Sequence, residues 1–149
     1  PFIILMVAII PLTRFIVGKA IGVNAALVPL TIGAAPFIAR VIESALKEVD
    51  KGLIEAAKSF GASDFQIIFK VMIKEAMPSI VSGITLSTIS ILGYTAMAGA
   101  VGAGGLGAVA LTYGYQKFDT SVMLYTVLIL IVIVQLIQCI GNLAYKKLK

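Results

Sequence analysis

The sequence predicts an all-α integral membrane bundle, on three observations. Hydrophobic residues make up 60% of the 149 residues against 13% charged, with a mean hydropathy of +1.07, where an ordinary soluble domain carries about 25% charged residues. The apolar residues come in runs of membrane-crossing length rather than in the short alternating pattern of a soluble core. The lysines flank those runs and gather on one side of them. One membrane domain over residues 1–149 follows, with apolar segments at about 1–17, 23–42, 76–101 and 120–145 and a polar connection at about 48–74.

Composition also removes function classes. A net charge of +5 could suggest nucleic acid, but the basic residues sit beside apolar runs and form no stripe or recognisable module, so no nucleic-acid partner is expected. The chain has no histidine, which takes away the commonest zinc ligand and acid–base group, and neither a catalytic nor a metal site is expected. Cys139 is the single cysteine and lies inside an apolar run. No disulfide within the chain is possible, and a packed, inert thiol is the expected role.

The first segment runs from Phe2 to Thr13 and meets Arg14 after 12 residues, where a spanning helix needs roughly 20. With Pro1 rather than Met at its head, it reads as the end of a helix whose beginning lies before residue 1. The second segment, Val23 to Ile42, contains Pro29 and Pro36, which neighbouring helices can accommodate in a membrane bundle. Arg40 can snorkel towards the headgroups or pair with Glu43 one turn on.

The segment from Ala76 to Val101 is uncharged but rich in Ser, Thr and Gly. Such residues let helix backbones approach and hydrogen-bond across the contact, so this helix is expected to pack against other helices rather than lipid. The last segment, Thr120 to Tyr145, is uncharged and long enough to cross with some tilt. Tyr125 and Tyr145 are expected near the two interfaces. If the segments alternate, Lys47, Lys51, Lys58, Lys70, Lys74, Lys146, Lys147 and Lys149 share one side, against Arg14, Lys19 and Lys117 on the other. The positive-inside rule makes the lysine-rich side, with the C-terminus, cytoplasmic.

The connection on that side carries the informative pattern. Leu53, Ala56, Ala57 and Phe60 share one face at helical spacing, with Glu55 and Lys58 beside them. Gly61 suits the position that ends a helix in the left-handed conformation. Ser63 can cap a second helix, with Asp64 in its first turn and Gln66 at the capping-box position. Phe65, Ile68, Phe69 and Met72 form that helix's apolar side. The pattern alone fits an amphipathic hairpin on the membrane surface as well as a docking element. Two alanines make the first face shallow, which favours docking on protein.

Glu55-Ala56-Ala57, with Gly61 six residues after the glutamate and Pro78 beyond, resembles the EAA loop of ABC importer permeases. The resemblance implies a multi-helix permease bundle of the type I importer kind, here lacking its N-terminal helix, in a bacterial inner membrane. It implies that Glu55, Ala56, Ala57, Phe60, Gly61 and Phe65 contact a cytoplasmic ATPase subunit, and that movement of the ATPases drives alternating access. One departure is Lys74, where that family often has proline. The runs Ile32 to Arg40 and Gly93 to Gly107, with Tyr113-Gly114-Tyr115, are similar to the methionine importer permeases across essentially the whole chain. That similarity implies methionine as cargo, a homodimer, and an extracytoplasmic substrate-binding lipoprotein. Another small solute as cargo, or a non-transporting membrane scaffold, are the alternatives.

Gly102, Gly104, Gly105 and Gly107 formally match a dinucleotide fingerprint, but they follow a membrane helix rather than a strand. They are expected to form a close-packed turn on the outer side, near the translocation path in the resembling family. Met97, just before it, reads either as a core methionine or as a hydrophobic gate, with Tyr94 beside it on the path. There is no P-loop, so no cofactor is expected in this chain and ATP would bind the partner. No Asp, Glu, Lys or Arg falls within the two uncharged segments, which suits a transporter energised by a partner rather than by ions.

Overall fold

The computed structural model describes residues 2–148; Pro1 and Lys149, and with them the reading placed on Pro1, lie outside the described residues. Among the described residues eight α-helices follow one another: α1 Phe2–Ala8, α2 Ile10–Val17, α3 Val23–Lys47, α4 Lys51–Ser59, α5 Asp64–Gln66, α6 Ile73–Ala98, α7 Gly105–Val109 and α8 Thr120–Leu148. A π-helical turn, Ile67–Met72, joins α5 to α6 without a break, so Asp64–Ala98 is one helix of 35 residues. Among the described residues three helices are long and apolar enough to span a membrane: Val23–Lys47, Asp64–Ala98 and Thr120–Leu148.

The first apolar run is two helices and not one. Pro11 stands at the start of α2 and cannot donate to the carbonyl four residues back, so the helix breaks at Ile9. Gly18 then closes α2 in the left-handed conformation, its N–H donating to the Arg14 carbonyl. The pair runs back along the first half of α3, with Phe2 beside Gly33 and Met6 packed with Ala26.

The three long helices pack antiparallel in sequence order. Along the α3–α6 seam, Ala26 and Leu30 meet Tyr94 and Ala98 at one end, while Ala45 and Val49 meet Ala76 and Ile80 at the other. Midway the Val41 side chain lies so close to Gly83 that a Cβ there would overlap it. Along the α6–α8 seam Gly141 lies against Thr85, and Val81 and Thr88 line one groove with Ile137 and Ala144. Pro29 is fully buried, and the break it makes in the α3 hydrogen bonding is enclosed by neighbours.

The hydroxyls of α6 behave differently from the expectation of bonds across the seam. Thr85, Ser87, Thr88 and Ser90 each donate to the carbonyl four residues earlier in their own helix. That bond is available at every position of a helix and needs no partner, so it wins. Among the described residues the exception is Ser79, whose Oγ donates to Glu48 Oε2 just past the end of α3 at 3.3 Å.

This packing sorts the charges by end. Lys47, Lys51, Lys58, Lys70, Lys74, Lys146 and Lys147 lie where α3 and α8 finish and the Asp64–Ala98 helix starts. Arg14, Lys19 and Lys117 lie towards the other end, where the Gly18–Gly22 turn and the glycine turn meet at Ile21 and Gly102. Arg40, Glu43 and Lys47 form a ladder on exposed α3, with contacts of 3.8 Å and 2.6 Å. At such exposure it contributes little to stability.

Candidate functional site: an exposed docking surface and a polar flank

Local capping builds the lysine-rich end. The Asp50 carboxylate accepts from the Gly52 N–H at 2.6 Å and starts α4. At the other end of α4 the Ala62 N–H donates to the Ala57 carbonyl and the Gly61 N–H to the Lys58 carbonyl, with Gly61 at φ 77°. This is a Schellman closure, and it requires the positive φ that glycine supplies. Two residues on, Ser63 Oγ accepts from the Gln66 N–H and the Gln66 side chain accepts from the Ser63 N–H, a complete capping box. The chain thus leaves one helix and enters the next within four residues.

A small core holds this turn to the bundle. Ala45, Val49 and Ala76 are buried, with Leu46, Ile54, Met72 and Ile80 packed around them. Ile67 is 3% exposed and anchors the π-helical turn. The anchors are therefore Ile54 and Ile67; of the faces expected from spacing, Met72 packs inwards with them, while Leu53, Phe60, Phe65, Ile68 and Phe69 are turned outwards. Leu53, Glu55, Ala56 and Gly61 are exposed, and Ala57 is half-buried. Phe60 is 91% exposed and Phe65 70% exposed, the Phe65 ring tilted against that of Phe69 at 4.5 Å between centroids. Exposed phenylalanines around a shallow alanine patch, on a turn fixed by three caps, make a preformed contact surface. Glu55 stands on this surface as a carboxylate among lysines. The two anchors are what the sequence reading missed; an isoleucine on the flank of each amphipathic face was the available signal.

At the opposite end the glycine turn is close-packed at Gly99 and Gly107 and open at Gly104 and Gly105. Gly102, Gly104 and Gly105 all have positive φ and are exposed. Gly107 is buried against the Ala96 backbone, where a Cβ would overlap it. α7 and a further π-helical stretch, Ala110–Gln116, lead to α8. Gly114 lies against Met123, and the Lys117 ammonium sits 4.4 Å from the Tyr113 ring centroid. Tyr94 stacks on Phe2 at 4.9 Å between ring centroids, inside the bundle. Met97, one turn further along the same helix, is 45% exposed, so the pair runs from the packed inside of the bundle to its surface.

Met97 shares its face with other exposed residues. Ser82, Leu86, Ser90, Gly93 and Met97 recur at spacings of three and four and form one exposed stripe along α6. On α8, Gln138 and Asn142 line the same groove as Ser82 and Leu86. The opposite flank of the α6–α8 pair is apolar, lined by Val81, Ile84, Ile137 and Ile140.

Spanning helices in an antiparallel bundle, with a capped polar turn at the lysine-rich end, define a multi-pass membrane protein. The chain belongs to the binding-protein-dependent transport system inner membrane components, whose family pattern matches residues 1–149. It is 57% identical over 142 residues to a Vibrio cholerae protein named "Probable D-methionine transport system permease protein MetI", covering 95% of this chain and 63% of that one. It is 52% identical over 143 residues to the methionine import system permease protein MetP of Bacillus subtilis, covering 96% and 64%. The chain thus spans a little under two thirds of these relatives' length. Among solved structures, the MetNI methionine ABC transporter in an inward-facing conformation superposes with a TM-score of 0.96 at 50% identity, over 100% of this chain and 69% of that one.

Proposed function

We propose that this chain forms the permease core of an ATP-driven importer for methionine, in a plasma membrane with the lysine-rich end in the cytoplasm. The observation that carries the reading is the exposed Glu55–Ala56–Phe60–Phe65 surface. It sits on a turn continuous with a helix that crosses the whole bundle. A cytoplasmic ATPase subunit is the partner this surface suits, because an aromatic pair on a rigid turn loses little entropy on docking. ATP would bind and be hydrolysed on that partner, and closure of two such ATPases would move the Asp64–Ala98 helix. Alternating access then requires a second copy of the permease, and an extracytoplasmic binding protein would deliver cargo at the glycine-turn end. The methionine-named relatives at 57% and 52% identity support the choice of cargo.

The full-length permease, co-expressed with its ATPase and binding protein in cells without methionine uptake, is expected to accumulate labelled methionine. Glu55→Lys is expected to abolish that uptake with membrane insertion intact. Undiminished uptake by the variant would refute the role of the surface. Absent uptake in the unmodified complex, with the ATPase still membrane-bound, would refute methionine as cargo.

A further inference from the structure

The lower half of α8 carries three uncharged amides where a lipid-facing helix would carry none. Gln135, Gln138 and Asn142 recur at spacings of three and four and open into one groove with Cys139 and Lys146. All three amides are exposed, and among the described residues no side-chain hydrogen bond involves them. With Lys146 and Lys147 at the interface, about 20 residues of hydrocarbon depth reach back to roughly residue 126. The amides therefore lie between mid-membrane and the lysine-rich surface. An amide left unpaired at that depth carries a desolvation cost.

The rest of α8 sharpens the contrast. Leu136 and Ile140, on the other side of the helix, are 58% and 66% exposed, as residues in contact with acyl chains should be. The amide side is continuous, through the groove shared by Ser82, Leu86, Gln138 and Asn142, with the α6 stripe that ends at Met97. A carboxamide offers both a donor and an acceptor without a charge of its own. A row of them can solvate an ammonium and a carboxylate in turn without binding either sign too tightly, which conduction requires.

Resting on the importer reading, we propose that Gln135, Gln138 and Asn142, with Ser82 of α6, form the hydrophilic wall of the inner half of the translocation path. There they contact the charged groups of a zwitterionic amino acid after it has passed Met97. Acyl chains touch the Leu136–Ile140 side, and water and cargo touch the amide side.

The test uses the full-length permease with its ATPase in inside-out vesicles, in a Cys139→Ser background. Gln135→Cys, Gln138→Cys and Asn142→Cys are expected to react with a membrane-impermeant sulfonate thiosulfonate about tenfold or more faster than Leu136→Cys and Ile140→Cys. Added methionine is expected to slow the reaction at residue 138, and glycerol is not. Replacing both Gln138 and Asn142 by leucine is expected to lower uptake about tenfold with the ATPase still bound. Equal labelling at all five positions would overturn the assignment even where the unmodified complex takes up methionine. Selective labelling that no amino acid slows would overturn the cargo contact, whereas selective labelling without methionine uptake would overturn methionine as the cargo.

Discussion

Gly141 of α8 lies directly against Thr85 of α6, with no room for a Cβ between them. A contact this close, between a glycine and a β-branched residue, holds the two helices in register. Thr85 Oγ1 donates at 2.8 Å to the Val81 carbonyl, and both this hydroxyl and the Thr85 methyl group face the glycine. Gly141→Leu should force the helices apart at a cost of about 1–3 kcal/mol. A fall in the Tm of the detergent-solubilised protein, absent for Leu143→Ala on the exposed side, checks it.

Gly61 should tolerate asparagine far better than valine. Its φ of 77° costs a β-branched residue about 1–2 kcal/mol, while asparagine visits that region readily. Gly61→Val is expected to weaken ATPase association in pull-down and Gly61→Asn to retain most of it. Equal behaviour of the two would show that the closure of α4 is not what positions the surface.

Phe60→Ala should leave the bundle intact, because a side chain 91% exposed contributes almost no packing. Its effect is expected on the partner. Loss of a central aromatic at a docking surface corresponds to about 2 kcal/mol or more, roughly a 30-fold weaker Kd for the ATPase. Titration of the ATPase onto permease in nanodiscs measures this directly, with the Tm of the permease as control.

Met97→Ala should raise ATPase turnover that is not matched by uptake, if the exposed thioether closes the path between two copies. The measured quantity is the ratio of ATP hydrolysed to methionine accumulated in proteoliposomes. An unchanged ratio would assign Met97 to packing alone.

What was legible in the sequence was what local chemistry decides. Gly61, Ser63 and Gln66 act within five residues of one another, so their capping roles can be read from spacing. The spans and their flanking lysines follow from hydropathy and charge. The continuity of Asp64–Ala98 was harder to see. Lys70, Lys74 and Glu75 interrupt the apolar run without interrupting the backbone hydrogen bonds, so hydropathy marks a start near Ala76 where the helix has already run for three turns. Burial of Ile54 and Ile67 depends on where α3 ends and α6 begins, a tertiary fact that spacing within one helix cannot contain. The same holds for Tyr94, whose stacking on Phe2 joins residues 92 positions apart in the sequence.

The close contact of Gly83 with Val41 falls inside the 35-residue helix, about 27 Å from Phe65 and about 21 Å from Met97 at 1.5 Å per residue. A helix pivoting at that point would behave as a seesaw. A push of about 2 Å at the docking end would swing the Met97 end the opposite way by roughly three quarters as much. Leverage of this kind needs no relay of side-chain rearrangements along the helix. A bulkier residue at position 83 would shift the fulcrum, changing the stroke without touching either end.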